Sequence, residues 1–359
     1  MLLSAGLGMR MRPLTLRVPK PAIPVLGRPM AVEILNRMKD QGVCEVVINL
    51  HHLPEEVVRV VGEGEPVGLP QVHYSKEETI LGTGGALGKA ARLLSGDGPI
   101  LVHNCDFLSD IDLQAVVAEH RASGRLATLV LAPPRAGYPV VDVDRDGAVV
   151  SIAGLPAPDD RQVAGSFLFT GCHVIDESLL ERIPVGRPSC VVAHLYRPLI
   201  RQRQLGFYFH DGFWWEFGTP ERYLDGSLQL IDLPLERRLR VTTHDAVRRL
   251  NGGVAAIGPG VSLDDGARIT GRAALGLASR VGRASEIRDS VIMPEAWVGP
   301  DCRLERVVVG PGVEIPAHSA YRDAMICGKP GWGCESDEGV RQEGDLLVAD
   351  FSRSGRPTA

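Results

Sequence analysis

From the start to roughly residue 235, the chain alternates short β-branched runs with longer segments of helical spacing. CEVVINL, GPILVHN and LATLVLA read as strands. Between Met30 and Gln41, Val32, Ile34, Leu35 and Met38 fall at near-helical spacing, and Gly42 ends the run. DLQAVVAEHRASG reads as a helix between the second and third strands. This alternation predicts an α/β domain with a doubly wound, mostly parallel sheet and a right-handed crossover.

After about residue 250 the apolar positions change period. Ile257, Leu263, Ile269, Leu275, Val281 and Ile287 are six apart. A step of five leads to Ile292, then six to Val298, six to Leu304, five to Val309 and six to Ile315. Glycine follows several of them, as in Val281-Gly282 and Val298-Gly299. A period of six with small residues between does not fit an amphipathic helix; it predicts a solenoid whose turns each hold three short strands, a short left-handed parallel β-helix of about three turns. Open ends and faces of such a coil predict packing on the α/β domain or on another subunit, as a homo-oligomer or a complex. The expected layout is the α/β domain at 1–235, a linker at 236–253, the coil at 254–328 and a mobile tail at 329–359, with Trp332 and the stretch from Leu346 to Phe351 able to dock.

With 359 residues there is length for two cores. Net charge is -5 with signs interspersed, so no broad positive field invites nucleic acid. Apolar runs are too short to span a bilayer and no signal peptide opens the chain, which predicts a cytoplasmic protein. The seven cysteines, at 44, 105, 172, 190, 302, 327 and 334, lack metal-ligand spacing and read as reduced thiols. The ten histidines show no such spacing either, and none is assigned a catalytic role.

The candidate chemistry begins at Ser4 to Thr15, SAGLGMRMRPLT, followed by Lys20. Gly6 and Gly8 allow close approach of backbone to phosphate, while Arg10 and Lys20 supply positive charge. A dinucleotide fingerprint would need glycine where Met11 stands, and no Gly-Lys-Ser/Thr follows for a P-loop.

The pattern Gly-x-Gly-x-Arg-x-x-Pro-Leu-Thr plus Pro-Lys resembles the signature of sugar-1-phosphate nucleotidyltransferases. ETILGTGGAL, NCDFLSDID, FTGCHVID and WWEFGTPERYL are similar to that family's other motifs, in the same order. The resemblance implies in-line attack of a sugar 1-phosphate on the α-phosphorus of a nucleoside triphosphate, giving an NDP-sugar and pyrophosphate. No covalent intermediate is needed, so alignment and charge neutralisation carry the rate.

On this resemblance Ala5, Gly6, Gly8, Glu78, Gly82, Thr83 and Gly84 would meet the nucleotide, with Gly82, Gly84 and Gly85 placing a base or ribose on bare backbone. Gly171 and Asp106 would meet the sugar; Arg10, Lys20 and Asp106 would be catalytic. Mg2+, a hard cation that keeps water and phosphate oxygens as ligands, would be held by Asp106 and Glu216, the latter standing where aspartate is usual. Asp110 and Asp112 read as loop and helix-cap residues, and Trp214 and Tyr223 as packing.

The departures are Gly154-Leu155-Pro156 in place of Glu-Lys-Pro, Cys105 in place of glycine, and Met9 in place of a small hydroxyl residue. Arg135 or Arg161 could replace the missing lysine. Family members also carry more apolar residues before the first glycine, so a start upstream of Met1 is expected. Length and motifs look most like mannose-1-phosphate guanylyltransferases, with GTP and mannose 1-phosphate as partners. The alternatives are a uridylyltransferase for glucose or amino-sugar 1-phosphate, a silent homologue that senses an NDP-sugar, and an acyltransferase using His318 of the coil.

Overall fold

The computed structural model describes residues 1–63, 68–96, 98–154, 162–250, 252–328 and 339–351. Its contacts divide the chain into two compact units, 1–6 with 35–214, and 7–34 with 215–359. This division differs from a simple cut near 235, because the segments at 7–34 and 215–235 group with the coil.

The first unit is built on a nine-stranded sheet. Its parallel core comprises β1 (Leu2–Leu3), β2 (Glu45–Leu50), β3 (Gln71–Lys76) and β4 (Ile100–Asn104), in the order β4-β1-β2-β3. Helices α1 (Met30–Asp40), α2 (Pro54–Val61), α3 (Gly82–Leu94) and α4 (Leu113–Ser123) alternate with these strands along the chain. β5 (Ala127–Ala132), β6 (Val140–Val143), β7 (Val149–Ile152), β8 (Gly165–Ile175) and β9 (Leu205–Phe209) extend the sheet. β8 runs antiparallel to β4, β5 and β6, so it lies between β4 and β5, the two strands that the sequence pattern joins by a crossover. Every residue of β5 is buried, which explains why LATLVLA reads as an unbroken apolar run.

In the second unit the period of six becomes coils of a parallel β-helix. Its longer strands are β10 (Gly253–Ile257), β11 (Arg268–Leu275), β12 (Glu286–Ile292), β13 (Arg303–Val309) and β14 (Ala320–Gly328), each parallel to the next. A second face is made by two-residue strands at Ser262–Leu263, Arg280–Val281, Trp297–Val298 and Glu314–Ile315. Corners are turned by left-handed residues, among them the row Gly271, Asp289, Arg306 and Asp323. The five-residue steps in the apolar pattern fall across Asp289 and Arg306, where the corner is one residue shorter than at Gly271; the ladder between β11 and β12 shifts register there. Nine of the eleven periodic residues are buried, and the partly exposed Ile257 and exposed Leu263 belong to the first coil, which lacks a preceding neighbour on the second face.

Two expectations at the ends of the coil are corrected. The linker carries a strand, Val247–Leu250, antiparallel to β10. The tail is not a mobile segment over its described part: Val340–Glu343 and Leu346–Asp350 form a hairpin whose second strand pairs antiparallel with β14, and Phe351 is buried. Trp332 lies outside the described residues. Among the described residues no helix is long and apolar enough to cross a membrane.

Candidate active site

Two constellations carry the predicted motifs, one in each unit. In the first, the turn after β1 is tied to β2 by the Ser4 amide, which donates to Asn49 Oδ1 at 2.8 Å. Asn49 Nδ2 donates in turn to Glu77 Oε1 at 2.8 Å, and the Leu81 amide to Glu77 Oε2 at 2.9 Å. Glu77 is thus the buried carboxylate that joins the first loop to the start of α3, whereas Glu78 is exposed. Ser75 and Glu77, two positions apart at the end of a strand pattern, share the inward face; that alternation was the signal for choosing Glu77.

The glycines of LGTGGAL do need bare backbone, but against this chain itself. A Cβ on Gly82 would lie 2.7 Å from Ser189 O, one on Gly84 2.5 Å from Ser189 Oγ, and one on Gly85 2.7 Å from Arg187 O. The Gly84 amide donates to Ser189 O at 2.9 Å, and Thr83 Oγ1 accepts from the Val191 amide at 3.0 Å. The side of these glycines that a Cβ would occupy thus packs on the segment 187–191.

Asp106 follows β4 and is half-buried. This is the carboxyl end of the parallel core, where open α/β sheets bind ligands. Across from it in the same sheet, Gly171 interrupts β8 with φ +88, and a Cβ there would meet Asn104 Nδ2 at 2.7 Å. NCD and FTG, separated by more than sixty residues, are thereby adjacent. The Trp214 indole donates to Thr170 O at 3.0 Å, and the Arg135 guanidinium lies over the Trp214 ring at 5.4 Å. Arg135 therefore stands close to the Gly171 strand, while Leu155, Pro156 and Arg161 lie outside the described residues. Asp112 caps α4 by accepting from the Ala115 amide at 2.9 Å, and Asp110 accepts from the Phe213 amide at 2.5 Å; both are structural, as the sequence indicated.

The second unit holds the basic loop. Gly8 has φ +66 and its carbonyl accepts from the Met11 amide and from Thr15 Oγ1, each at 2.8 Å. A Cβ on Gly8 would lie 2.7 Å from Thr15 Cγ2 and 3.3 Å from Lys20 Cγ, so this glycine packs the loop tightly beside Lys20. Arg10 Nη2 donates to Glu216 Oε1 at 3.0 Å, and Arg222 Nη1 donates to Glu216 Oε2 at 2.6 Å. Arg222 sits in the first turn of α5 (Pro220–Asp232), which Thr219 caps through the Arg222 amide at 3.2 Å.

Comparison with known proteins decides what this set of motifs is. Residues 1–232 match the family described as "Nucleotidyl transferase", and residues 243–321 match "GlmU-like, C-terminal hexapeptide". The chain belongs to the nucleotidyl transferase family. This nucleotidyltransferase is 29% identical to a mannose-1-phosphate guanylyltransferase of Mycobacterium tuberculosis (strain ATCC 25618 / H37Rv), over 85% of this chain and 82% of that protein. It is 28% identical to a UTP–glucose-1-phosphate uridylyltransferase of Synechocystis sp. (strain ATCC 27184 / PCC 6803 / Kazusa), over 91% and 92% of the two chains. In fold it is similar to the solved HddC from Yersinia pseudotuberculosis, with 19% identity and a TM-score of 0.52, over 64% of this chain and 97% of that one.

The residues of this nucleotidyltransferase fit a divalent cation unevenly. Asp106 offers a hard oxygen at the sheet's ligand end, and a cation such as Mg2+ takes few ligands from protein and the rest from phosphate and water. Among the described residues no three His, Cys, Asp or Glu side chains cluster as a metal site. Both carboxylate oxygens of Glu216 face guanidinium groups. The sequence reading did not single out Arg222, six positions beyond Glu216 in WWEFGTPERYL, whose pairing is recognisable only in the fold.

Proposed function

We propose that this nucleotidyltransferase transfers a nucleotidyl group from a nucleoside triphosphate to a sugar 1-phosphate, releasing pyrophosphate, with GTP and mannose 1-phosphate as the first pair to test. The relatives named above act, by their names, on mannose 1-phosphate and on glucose 1-phosphate, and the one named a guanylyltransferase supports the choice of the guanylyl reaction. The observation that carries the reading is the adjacency of Asn104 to Gly171, two residues before Asp106, at the carboxyl end of the sheet.

In this reading the sugar phosphate oxygen attacks the α-phosphorus opposite the departing pyrophosphate. Arg10 neutralises the triphosphate and the leaving group, and Lys20 the α-phosphate and the incoming phosphate. Asp106 orients the acceptor and would hold Mg2+, which supplies charge neutralisation at the phosphates when bound. Gly171 keeps the β8 backbone bare beside the sugar. Ala5, Gly6 and Gly8 line the phosphate side.

The test is pyrophosphate release from the purified full chain across GTP, UTP, ATP, CTP and dTTP against a panel of sugar 1-phosphates with Mg2+. Turnover with one pair, abolished in Asp106→Ala, is expected. Turnover with UTP and glucose 1-phosphate in place of GTP and mannose 1-phosphate would reassign the substrates. Silence across the panel with NDP-sugar binding retained would make this chain a sensor.

A further inference from the structure

We infer that Glu216 is the anchor that aims Arg10, with Arg222 as its second partner, and that it is not a metal ligand. The inference rests on the nucleotidyl-transfer reading. Glu216 spends one oxygen on each arginine, at 3.0 Å to Arg10 and 2.6 Å to Arg222. Charge-assisted bonds of this kind are about twice as strong as neutral ones, and with one on each oxygen a cation would have to compete with a guanidinium at either atom. The Glu216 side chain is only 9% exposed, against 53% for Arg10. The carboxylate is thus the fixed partner, and Arg10 keeps much of its guanidinium open for phosphate.

The surrounding chain is shaped for this pose. A Cβ on Gly218 would sit 1.6 Å from Glu216 Oε1 and 2.8 Å from Arg10 Nη2, so glycine is needed for the carboxylate and guanidinium to meet. Trp215 Nε1 donates to Arg222 O at 2.8 Å, and the Arg222 amide donates to Thr219. Arg222 is therefore held at its backbone as well as its tip. Two arginines and one carboxylate leave one net positive charge, which suits a polyphosphate. A divalent cation on Glu216 would stand among guanidinium groups of its own sign. The extra methylene of glutamate over aspartate fits the same reading, since bridging two arginines on different segments needs reach. Arg222 is a positioning residue here, because it acts through Glu216 on Arg10.

The experiment titrates Mn2+ by electron paramagnetic resonance into the full chain, alone and with GTP, for wild type, Asp106→Asn, Glu216→Gln and Glu216→Asp. Steady-state kinetics follow on the same proteins and on Arg222→Lys and Arg222→Gln. Mn2+ affinity is expected to fall at least tenfold in Asp106→Asn and to stay within threefold of wild type in both Glu216 variants. Glu216→Asp is expected to raise KM for the triphosphate at least fivefold, because the shorter side chain releases one arginine; Arg222→Lys should recover part of what Arg222→Gln loses. A drop in Mn2+ affinity beyond threefold in either Glu216 variant overturns the inference. So does wild-type turnover by Glu216→Asp, which carries the carboxylate usual in the family. The Mn2+ readout is independent of turnover, so a wild-type chain that releases no pyrophosphate sinks the transfer reading while the anchor is still decided.

Discussion

Gly171→Ala tests whether the break in β8 serves the site. At φ +88 an alanine pays the left-handed cost of roughly 1–2 kcal/mol. Its Cβ would also lie 2.7 Å from Asn104 Nδ2, 3.1 Å from Cγ and 3.3 Å from Cβ, so the side chain cannot escape by turning its tip alone. Overpacking of that kind costs about 1–3 kcal/mol. Together the two terms predict a loss of about 2–5 kcal/mol, which for a unit of this size lowers Tm by roughly 5–15 °C. Asn104 precedes Asp106 by two residues, so its displacement moves the carboxylate, and kcat should fall at least tenfold at a temperature where both proteins are folded. Calorimetry and pyrophosphate release read the two effects. Asn104→Ala in the same background separates them: it should return the overpacking part and leave the backbone part. A Gly171→Ala protein that melts within 2 °C of wild type, or a double variant no more stable than Gly171→Ala, would refute the account.

Burial pushes His173 down to about 3, and neither ring nitrogen has a hydrogen-bond partner among the described residues. The unfolded chain takes up a proton near pH 6.5 that the fold refuses, so stability is present above that pH and lost as pH falls from 6.5 towards 3; His173→Phe should remove about 2 kcal/mol of the loss between pH 7 and 5, read from urea midpoints, and an unchanged pH slope counts against it. If Arg135 takes the place of the absent lysine, Arg135→Gln will raise KM for the sugar 1-phosphate at least tenfold with KM for the triphosphate unchanged, whereas equal effects on both would deny it that role. Arg306 donates to Asp225 at 3.1 Å and to Asp323 at 2.8 Å, all three partly exposed, so a double-mutant cycle between Arg306→Gln and Asp225→Asn should give a coupling of about 0.5–1 kcal/mol; a value indistinguishable from zero would reduce the contact to a surface pair.

What could be read in the sequence was local or periodic. Burial repeating every six residues located the coil, and even its five-residue steps have a structural meaning at Asp289 and Arg306. Pairing between distant segments left no such trace. The hairpin after residue 339 has an outer strand, VRQE, with no apolar alternation; it pairs with Leu346–Asp350, and that strand in turn pairs with β14. Arg10 and Glu216 are 206 positions apart, so a motif could nominate each but not show that they bind one another. The glycines of LGTGGAL are a related case. Glycine marks where something approaches the backbone, and only the fold reveals that the approaching group is Ser189.

α5 explains why the compact units divide inside the segment that the motifs make catalytic. Its first turn presents Arg222 to Glu216, and through it to Arg10. The next residue, Tyr223, is fully buried and donates its hydroxyl to Pro24 O, fixing the stretch that follows Lys20. Further along, Asp225 meets Arg306 and Asp232 meets Arg272, which also bonds Asp289 of the corner row at 3.1 Å. One helix thus holds the basic loop at one end and the β-helix along its length. The helix packs across strands β10 to β14, and the ion pairs it adds there, at partly exposed positions, are individually worth little. The same helix that carries Asp225 and Asp232 to the coil presents Arg222 to Glu216 from its first turn. If Glu216 anchors Arg10 as inferred, the hexapeptide coil supports that anchor through the helix that packs on it.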